Sequence, residues 1–135
     1  MTLSQSKNLL SALDRYSVTV VIAEPNRIGA SGGWNPRRGE MRISHSVVKR
    51  GTQTFRRVLN HEDIHTAQSC AGGSIRNRRK PLGLSRRLDT TAIRHLQSEI
   101  YADIATSDRR LEEEAYANQD DPEIGTLLLK VHCRS

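Results

Sequence analysis

The sequence predicts a small α+β domain, and three patterns favour this class. A β-branched run over Ser17–Ala23 and an alternating stretch over Glu40–Val47 are typical of strands. Thr52–Cys70 contains neither Pro nor Gly and has apolar residues at helical spacing. The last third of the chain has helical spacing as well. With 135 residues the chain fits one domain, which we place over residues 1–135.

The N-terminal third is expected to contain one helix and two strands. The first helix covers Leu3–Tyr16, and the β-branched run Ser17–Ala23 follows it as a buried strand. Ile28–Gly39 is rich in Gly, Ser, Asn and Pro and is expected to form a loop or hairpin. Glu40–Val47 is the second strand, with one solvated face.

After the long central helix, a basic loop is expected over about residues 71–88. Asp89 has the side chain of a good N-cap for the next helix, and Leu111–Ala117 is again helical. Asp121 followed by Pro122 has the pattern of an N-cap and a first helical residue, so a last helix should begin there.

The charge is strongly basic and unevenly distributed, with a net charge of +6 and a pI of about 9.9. The basic loop carries Arg76, Arg78, Arg79, Lys80, Arg86 and Arg87. Further basic residues precede it, namely Arg37, Arg38, Lys49, Arg50, Arg56 and Arg57. Such a field attracts nucleic acid, anionic surfaces or acidic substrates. Within the loop, Pro81–Leu84 is the apolar part by which it could be anchored.

The two cysteines, Cys70 and Cys133, are most simply interpreted as reduced thiols of a cytoplasmic protein. A Cys70–Cys133 disulfide is the alternative. No apolar run approaches the length of a transmembrane helix, and the N-terminus has no signal-peptide pattern. We therefore expect a cytoplasmic location without a membrane partner, and a virion is the alternative location.

The central helix contains the pattern H-E-x-x-H, formed by His61, Glu62, Asp63, Ile64 and His65. Positions i and i+4 lie on one face of a helix, so both imidazoles can bind one ion, and two imidazoles suit Zn²⁺. Glu62 follows the first His and can act as general base on a water held by the metal. Asp63 is expected to face solvent, because the helix phase directs it away from the two histidines.

The motif and the order of the elements resemble the zincin metallopeptidases, and most closely the compact gluzincins, also called minigluzincins. The resemblance covers about Val18–Ala117 and is specific at His61–His65. It implies two or three short antiparallel strands packed on the HExxH helix, with two or three further helices, and zinc-dependent hydrolysis of peptide bonds. The chain is also similar to small uncharacterised HExxH proteins of bacteria and phages.

In gluzincins a glutamate on a later helix supplies the third zinc ligand, often within E-x-x-A, and two stretches match that pattern. One begins at Glu112 and the other at Glu99. We favour Glu112, because three adjacent carboxylates repel one another and a cation would relieve the repulsion. The resemblance thus implies Zn²⁺ on His61, His65 and Glu112, with Glu99 as the alternative third ligand.

The resemblance also implies catalytic roles. Glu62 would take a proton from the metal's water and deliver it to the leaving amine. A donor to the oxyanion is needed, and Tyr116, Tyr101 and His95 are candidates between which the sequence does not decide; we assign Tyr116. Glu40–Val47 is the candidate strand for pairing with an extended peptide or protein substrate.

A non-catalytic function is the alternative. The chain would then keep a zincin-like fold and use its basic loop to bind nucleic acid or another anionic surface. It could serve as a component of a larger assembly, such as a phage virion.

Overall fold

The computed structural model describes residues 3–27, 29–97, 106–121 and 123–134. In this part of the chain the helices are α1 (Leu3–Arg15), α2 (His45–Lys49), α3 (Thr52–Ala71), α4 (Thr90–Leu96), α5 (Thr106–Asn118) and α6 (Ile124–His132). The strands are β1 (Thr19–Ile22), β2 (Gly32–Asn35) and β3 (Glu40–Ile43). This confirms the α+β class that the sequence predicts, with more helices than the two or three expected beside α3.

The three strands form one mixed sheet in the order β1-β3-β2. Strand β2 pairs antiparallel with β3, and Gly32 lies opposite Ile43. Strand β1 pairs parallel with β3, and Thr19 lies opposite Glu40. The expectation of a purely antiparallel sheet is therefore wrong. The reason is that the chain crosses from β1 to β2 at the far edge of the sheet and then returns as β3 between these two strands, which makes β3 parallel to β1.

Two expectations about single strands are also wrong. Strand β1 is an edge strand with half-exposed and exposed residues, and it is not a buried strand. The strand predicted over Glu40–Val47 ends at Ile43, because the hydroxyl of Ser44 accepts a hydrogen bond from Val47 N and caps α2. Strand β3 is central, so both of its edges are paired and it cannot pair with a substrate.

Helix α3 is the centre of the molecule and contacts α1, α2, α5, α6, β2 and β3. All residues from Leu59 to Cys70 are buried, although most of them are polar. Asp63 is fully buried, so the expectation that it faces solvent is wrong. The reason is that α6 covers this face: a Cβ on Gly125 would lie only 2.8 Å from Asp63 Oδ2.

The apolar core has two parts, and α3 contributes residues to both. The larger part joins α1, the sheet, α3 and α6, and includes Leu13, Met41 and Leu59. The smaller part joins Ile64, Ala67, Ala115 and Leu128, and the loop residues Leu82 and Leu84 pack against it. This confirms the expectation that the apolar part of the basic loop anchors it to the domain.

The two cysteines form a disulfide between the last turn of α3 and the end of α6. The interpretation of Cys70 and Cys133 as reduced thiols is therefore wrong, and the disulfide alternative is confirmed. Because α3 packs against α6, the two Cα atoms lie 5.0 Å apart, within the range that a disulfide spans. Over the described ranges, no helix has the length and apolar content needed to cross a bilayer.

The caps of the later helices follow the sequence in part. Asp89 caps α4 as expected, and its side chain accepts a hydrogen bond from Ala92 N. Helix α6 begins at Ile124 with Glu123 at the N-cap position, so Asp121 is not the N-cap. The Asp121 carboxylate instead accepts a hydrogen bond from Glu123 N and shapes the turn before the helix. Pro122 lies outside the described residues.

Candidate metal centre

Two helices bring three potential metal ligands together. His61 and His65 lie one turn apart on α3, and Glu112 lies on α5, which packs against α3. One ligand atom from each residue lies within 4.8 Å of the other two, and all three residues are buried. Glu112 Oε1 is 2.8 Å from His65 Nε2, and Glu112 Oε2 is 3.4 Å from His61 Nε2. A group of this kind could hold a metal ion.

The alternative third ligand, Glu99, lies outside the residues that the structure describes, as does the candidate donor Tyr101. Of the other acidic residues near Glu112, Glu113 is half-buried and lies 3.7 Å from Arg86. Glu114 is fully buried and accepts hydrogen bonds from the backbone of Leu82 and Leu84. The three adjacent carboxylates therefore point to three different environments, and only Glu112 joins the histidines.

Two glutamines that the sequence did not single out orient the imidazoles. Gln68 Oε1 lies 2.7 Å from His65 Nδ1, while the amide nitrogen of Gln68 donates to Leu111 O and to Glu114 Oε1. The oxygen of Gln68 therefore faces His65 and accepts the Nδ1 proton. Gln119 Oε1 lies 2.8 Å from His61 Nδ1. Both rings thus direct Nε2 towards Glu112.

The sequence held a signal for one of these glutamines. Gln68 lies three residues after His65 on α3, so a helical projection places it on the neighbouring position. Gln119 follows the end of α5 and reaches His61 only through the packing of α5 on α3. No local pattern indicates such a contact.

Two buried polar atoms of the cluster lack a hydrogen-bond partner within the described ranges, namely His65 Nε2 and Glu112 Oε2. The approach of His65 Nε2 to Glu112 Oε1 is close, but it does not have hydrogen-bond geometry. Unpaired buried polar atoms are costly, and a cation between them would satisfy both. Two imidazole nitrogens and one carboxylate oxygen form a donor set that Zn²⁺ accepts, so these residues fit a metal ion.

The cluster is electrostatically coupled in the metal-free protein. Burial lowers the pKa of His61, but the close approach of the Glu112 carboxylate and the charges of Glu62 and Glu112 outweigh it and raise that pKa to about 9. Burial opposes ionisation of Glu112, but the charge of His65 and the contacts with both imidazoles hold its pKa well below the usual range. Near neutral pH an imidazolium therefore stands beside a carboxylate where a metal would bind.

Glu62, the expected general base, is buried beside the cluster. Burial raises its pKa, against the charges of His61 and His65, which lower it. The backbone of β2 passes directly over its side chain, because a Cβ on Gly32 would lie 3.0 Å from Glu62 Cγ. Glycine at position 32 therefore permits the close approach of β2 to the motif helix.

A cleft of about 190 Å³ opens onto the cluster. Its walls include His61, Glu62, His65 and Glu112 on one side and the edge strand β2 on another. Trp34 of β2 donates from Nε1 to Ser69 Oγ at 2.9 Å, which fixes this strand to α3. Arg79 of the basic loop also lines the cleft, and no pattern in the sequence distinguishes it from the other arginines of that loop.

Tyr116 of α5, the assigned oxyanion donor, lies beside His61. The two rings meet edge to face with their centroids 4.6 Å apart, and the His95 ring stacks on that of Tyr116 with a centroid distance of 5.9 Å. Tyr116 and His95 thus support the first histidine from the α4–α5 side, and neither is among the cleft-lining residues. The catalytic role of Tyr116 stays a prediction.

Comparison of the chain with protein-family models, with curated proteins and with solved structures found no match.

Proposed function

We propose that this chain is a zinc-dependent metallopeptidase of the gluzincin type. The observation that carries the proposal is the buried trio of His61, His65 and Glu112, in which two atoms with ligand chemistry have no other partner among the described residues. Their positions on two helices, with a general-base candidate next to the first histidine, match the pattern that the motif implies.

Zinc bound by these residues would supply a Lewis acid for the substrate carbonyl and acidify a water. Glu62 would accept the proton of the attacking water on its carboxylate and deliver it to the nitrogen of the leaving amine. Burial raises the pKa of Glu62 in the protein without metal, and burial of this kind favours proton uptake by the carboxylate. Gln68 and Gln119 would hold the two imidazoles in the orientation that the metal needs.

The substrate we propose is a peptide in extended conformation. Strand β2 is paired on one edge with β3, and its residues Gly32–Asn35 line the cleft, so a peptide that enters the cleft could add to the other edge as a further strand. This strand takes the place of Glu40–Val47, whose central position excludes that role. The fixed contact between Trp34 and Ser69 would hold the strand in position over Glu62 while the substrate binds.

Zinc content measured by elemental analysis tests the ligand set. We expect one equivalent in the wild type and in Glu113→Gln, a matched neighbour that lies outside the cluster, and we expect none in Glu112→Gln. A Glu99→Gln variant covers the alternative ligand. Loss of zinc from Glu99→Gln with full retention by Glu112→Gln would reject the proposed site.

Turnover of an unstructured protein substrate tests the chemistry. Glu62→Gln should keep one equivalent of zinc but lose about two to four orders of magnitude in rate, because the water loses its proton acceptor. Wild-type activity in this variant would remove Glu62 as the base.

A second candidate function, binding of an anionic surface, is favoured by the exposure of the basic loop. Its exposed cations include Arg76, Arg78, Lys80 and Arg87. Arg56 and Arg57 do not add to this surface, because Arg56 is buried and Arg57 pairs with Asp120 at 2.7 Å. Binding of duplex DNA that weakens steeply with salt, without zinc or proteolysis, would support this function instead.

A further inference from the structure

We propose that Arg79 is the catalytic anion-binding residue of the cleft and donates hydrogen bonds to the substrate oxygen that becomes negatively charged. This inference rests on the proposed peptidase function and assigns to Arg79 the task that the sequence assigned to Tyr116.

Arg79 differs from its neighbours in the basic loop by its position. Arg78 and Lys80 are exposed, whereas Arg79 is half-buried and lines the cleft. Its Nη1 lies 3.6 Å from Glu112 Oε1 and 3.1 Å from His65 Nδ1. A carbonyl group that reaches the metal ligands would therefore lie within a few ångströms of the guanidinium.

The loop backbone is fixed on both sides of Arg79. Lys80 N donates to Gln68 O at 2.9 Å and ties the residue after Arg79 to the end of α3. Gly72 provides the space for the carbonyl oxygen of Arg78, which a Cβ at that position would strike. Glu114 then holds Leu82 through its backbone nitrogen. These contacts fix the backbone around Arg79 and thereby limit how far its guanidinium can move from the cleft.

The charges around Arg79 explain why it would be available to a substrate. His65 Nδ1 donates its proton to Gln68, so it offers no lone pair to Arg79 at the 3.1 Å contact. Glu112 attracts the guanidinium in the metal-free protein. A cation bound to Glu112 would weaken that attraction and repel Arg79, which leaves its N–H groups free to turn towards an anion in the cleft.

Peptide hydrolysis produces such an anion. The oxygen of the attacking water forms a bond to the carbonyl carbon, and the π electrons move to the carbonyl oxygen. These electrons return when the carbon–nitrogen bond breaks, and the proton of the water passes through Glu62 to the amine. A guanidinium can give two N–H groups to the carbonyl oxygen while it carries the charge.

The test uses inorganic phosphate as the anion, titrated into the zinc-loaded protein by calorimetry at moderate salt. Arg79→Met should keep one equivalent of zinc but bind phosphate at least about tenfold more weakly, and its kcat should fall about a hundredfold. Arg79→Lys should restore part of both. The matched control, Arg78→Met, removes the same charge from an exposed position and should stay within about twofold of wild type.

Three results would overturn the assignment of Arg79. One is a phosphate affinity of Arg79→Met within about twofold of wild type. Another is loss of zinc from this variant, which would show that Arg79 stabilises the metal site. The third is a Tyr116→Phe variant that loses phosphate binding and kcat while Arg79→Met retains them. In each of these cases the wild-type protein still binds zinc and cleaves peptides. If the wild-type protein does neither, the proposed peptidase function itself is overturned.

Discussion

The affinity for zinc should rise steeply with pH, because His61 must lose a proton before it can bind a metal. In the metal-free protein the pKa of His61 is about 9. At about pH 7, roughly one molecule in a hundred therefore has a neutral His61, and at about pH 9 roughly half of them do. The deprotonation of this residue alone should increase the apparent affinity for zinc about fiftyfold between these two pH values. That change makes the binding free energy about 2 kcal/mol more favourable.

The assay is competition with a chromogenic zinc chelator, corrected for the chelator's own titration. Calorimetry in buffers of different ionisation enthalpy then counts the protons, and we expect about one proton released per zinc at about pH 7. Glu62→Gln serves as the control. Removing the Glu62 charge lowers the pKa of His61, so the rise of zinc affinity with pH should level off at a lower pH in this variant. Equal zinc affinities of the wild type at about pH 7 and about pH 9 would refute the claim that His61 must lose a proton before it binds the metal.

The metal-free protein should lose stability as the pH rises from about 6.5 through about 9, because His61 has a raised pKa in the folded state. Denaturant unfolding at several pH values measures the free energy of unfolding, and a value that does not change with pH would contradict this prediction. Gly125→Ala should cost about 1–3 kcal/mol, because the new methyl group would strike two buried oxygens of α3, whereas Gly33→Ala, which has room, should cost less. Glu114→Gln should release the basic loop and speed its cleavage by trypsin, and wild-type cleavage rates would show that other contacts hold the loop. Cys133→Ser should lower the free energy of unfolding by about 4 kcal/mol, from the entropy of the 63-residue separation that the disulfide closes, and an unchanged midpoint would contradict this.

Local patterns predicted the elements better than their arrangement. The cap at Asp89 and the uninterrupted α3 are encoded within a few residues, and the structure follows them. The position of β3 at the centre of the sheet depends on which strands pair, and pairing is not local. The short helix after Ser44 was missed because its alternating residues also fit a strand.

The site was partly visible because helical geometry alone places His61 and His65 on one face. Glu112 was reached through a resemblance and a repulsion argument, and the packing of α5 on α3 brings it to the histidines. Asp63 was misplaced because helix phase shows only that it points away from the two histidines, whereas the packing of α6 covers that face and buries it. Arg79 resembles every other arginine of its loop until the loop is folded.

The covalent link between Cys70 and Cys133 has a consequence for molecules that have been nicked. A single backbone break in the basic loop would separate the chain into a fragment with both histidines and a fragment with Glu112. Since each fragment carries one of the two sulfur atoms, they would migrate together on a gel until a reductant is added. The nicked protein would therefore keep both halves of the candidate metal centre in one molecule.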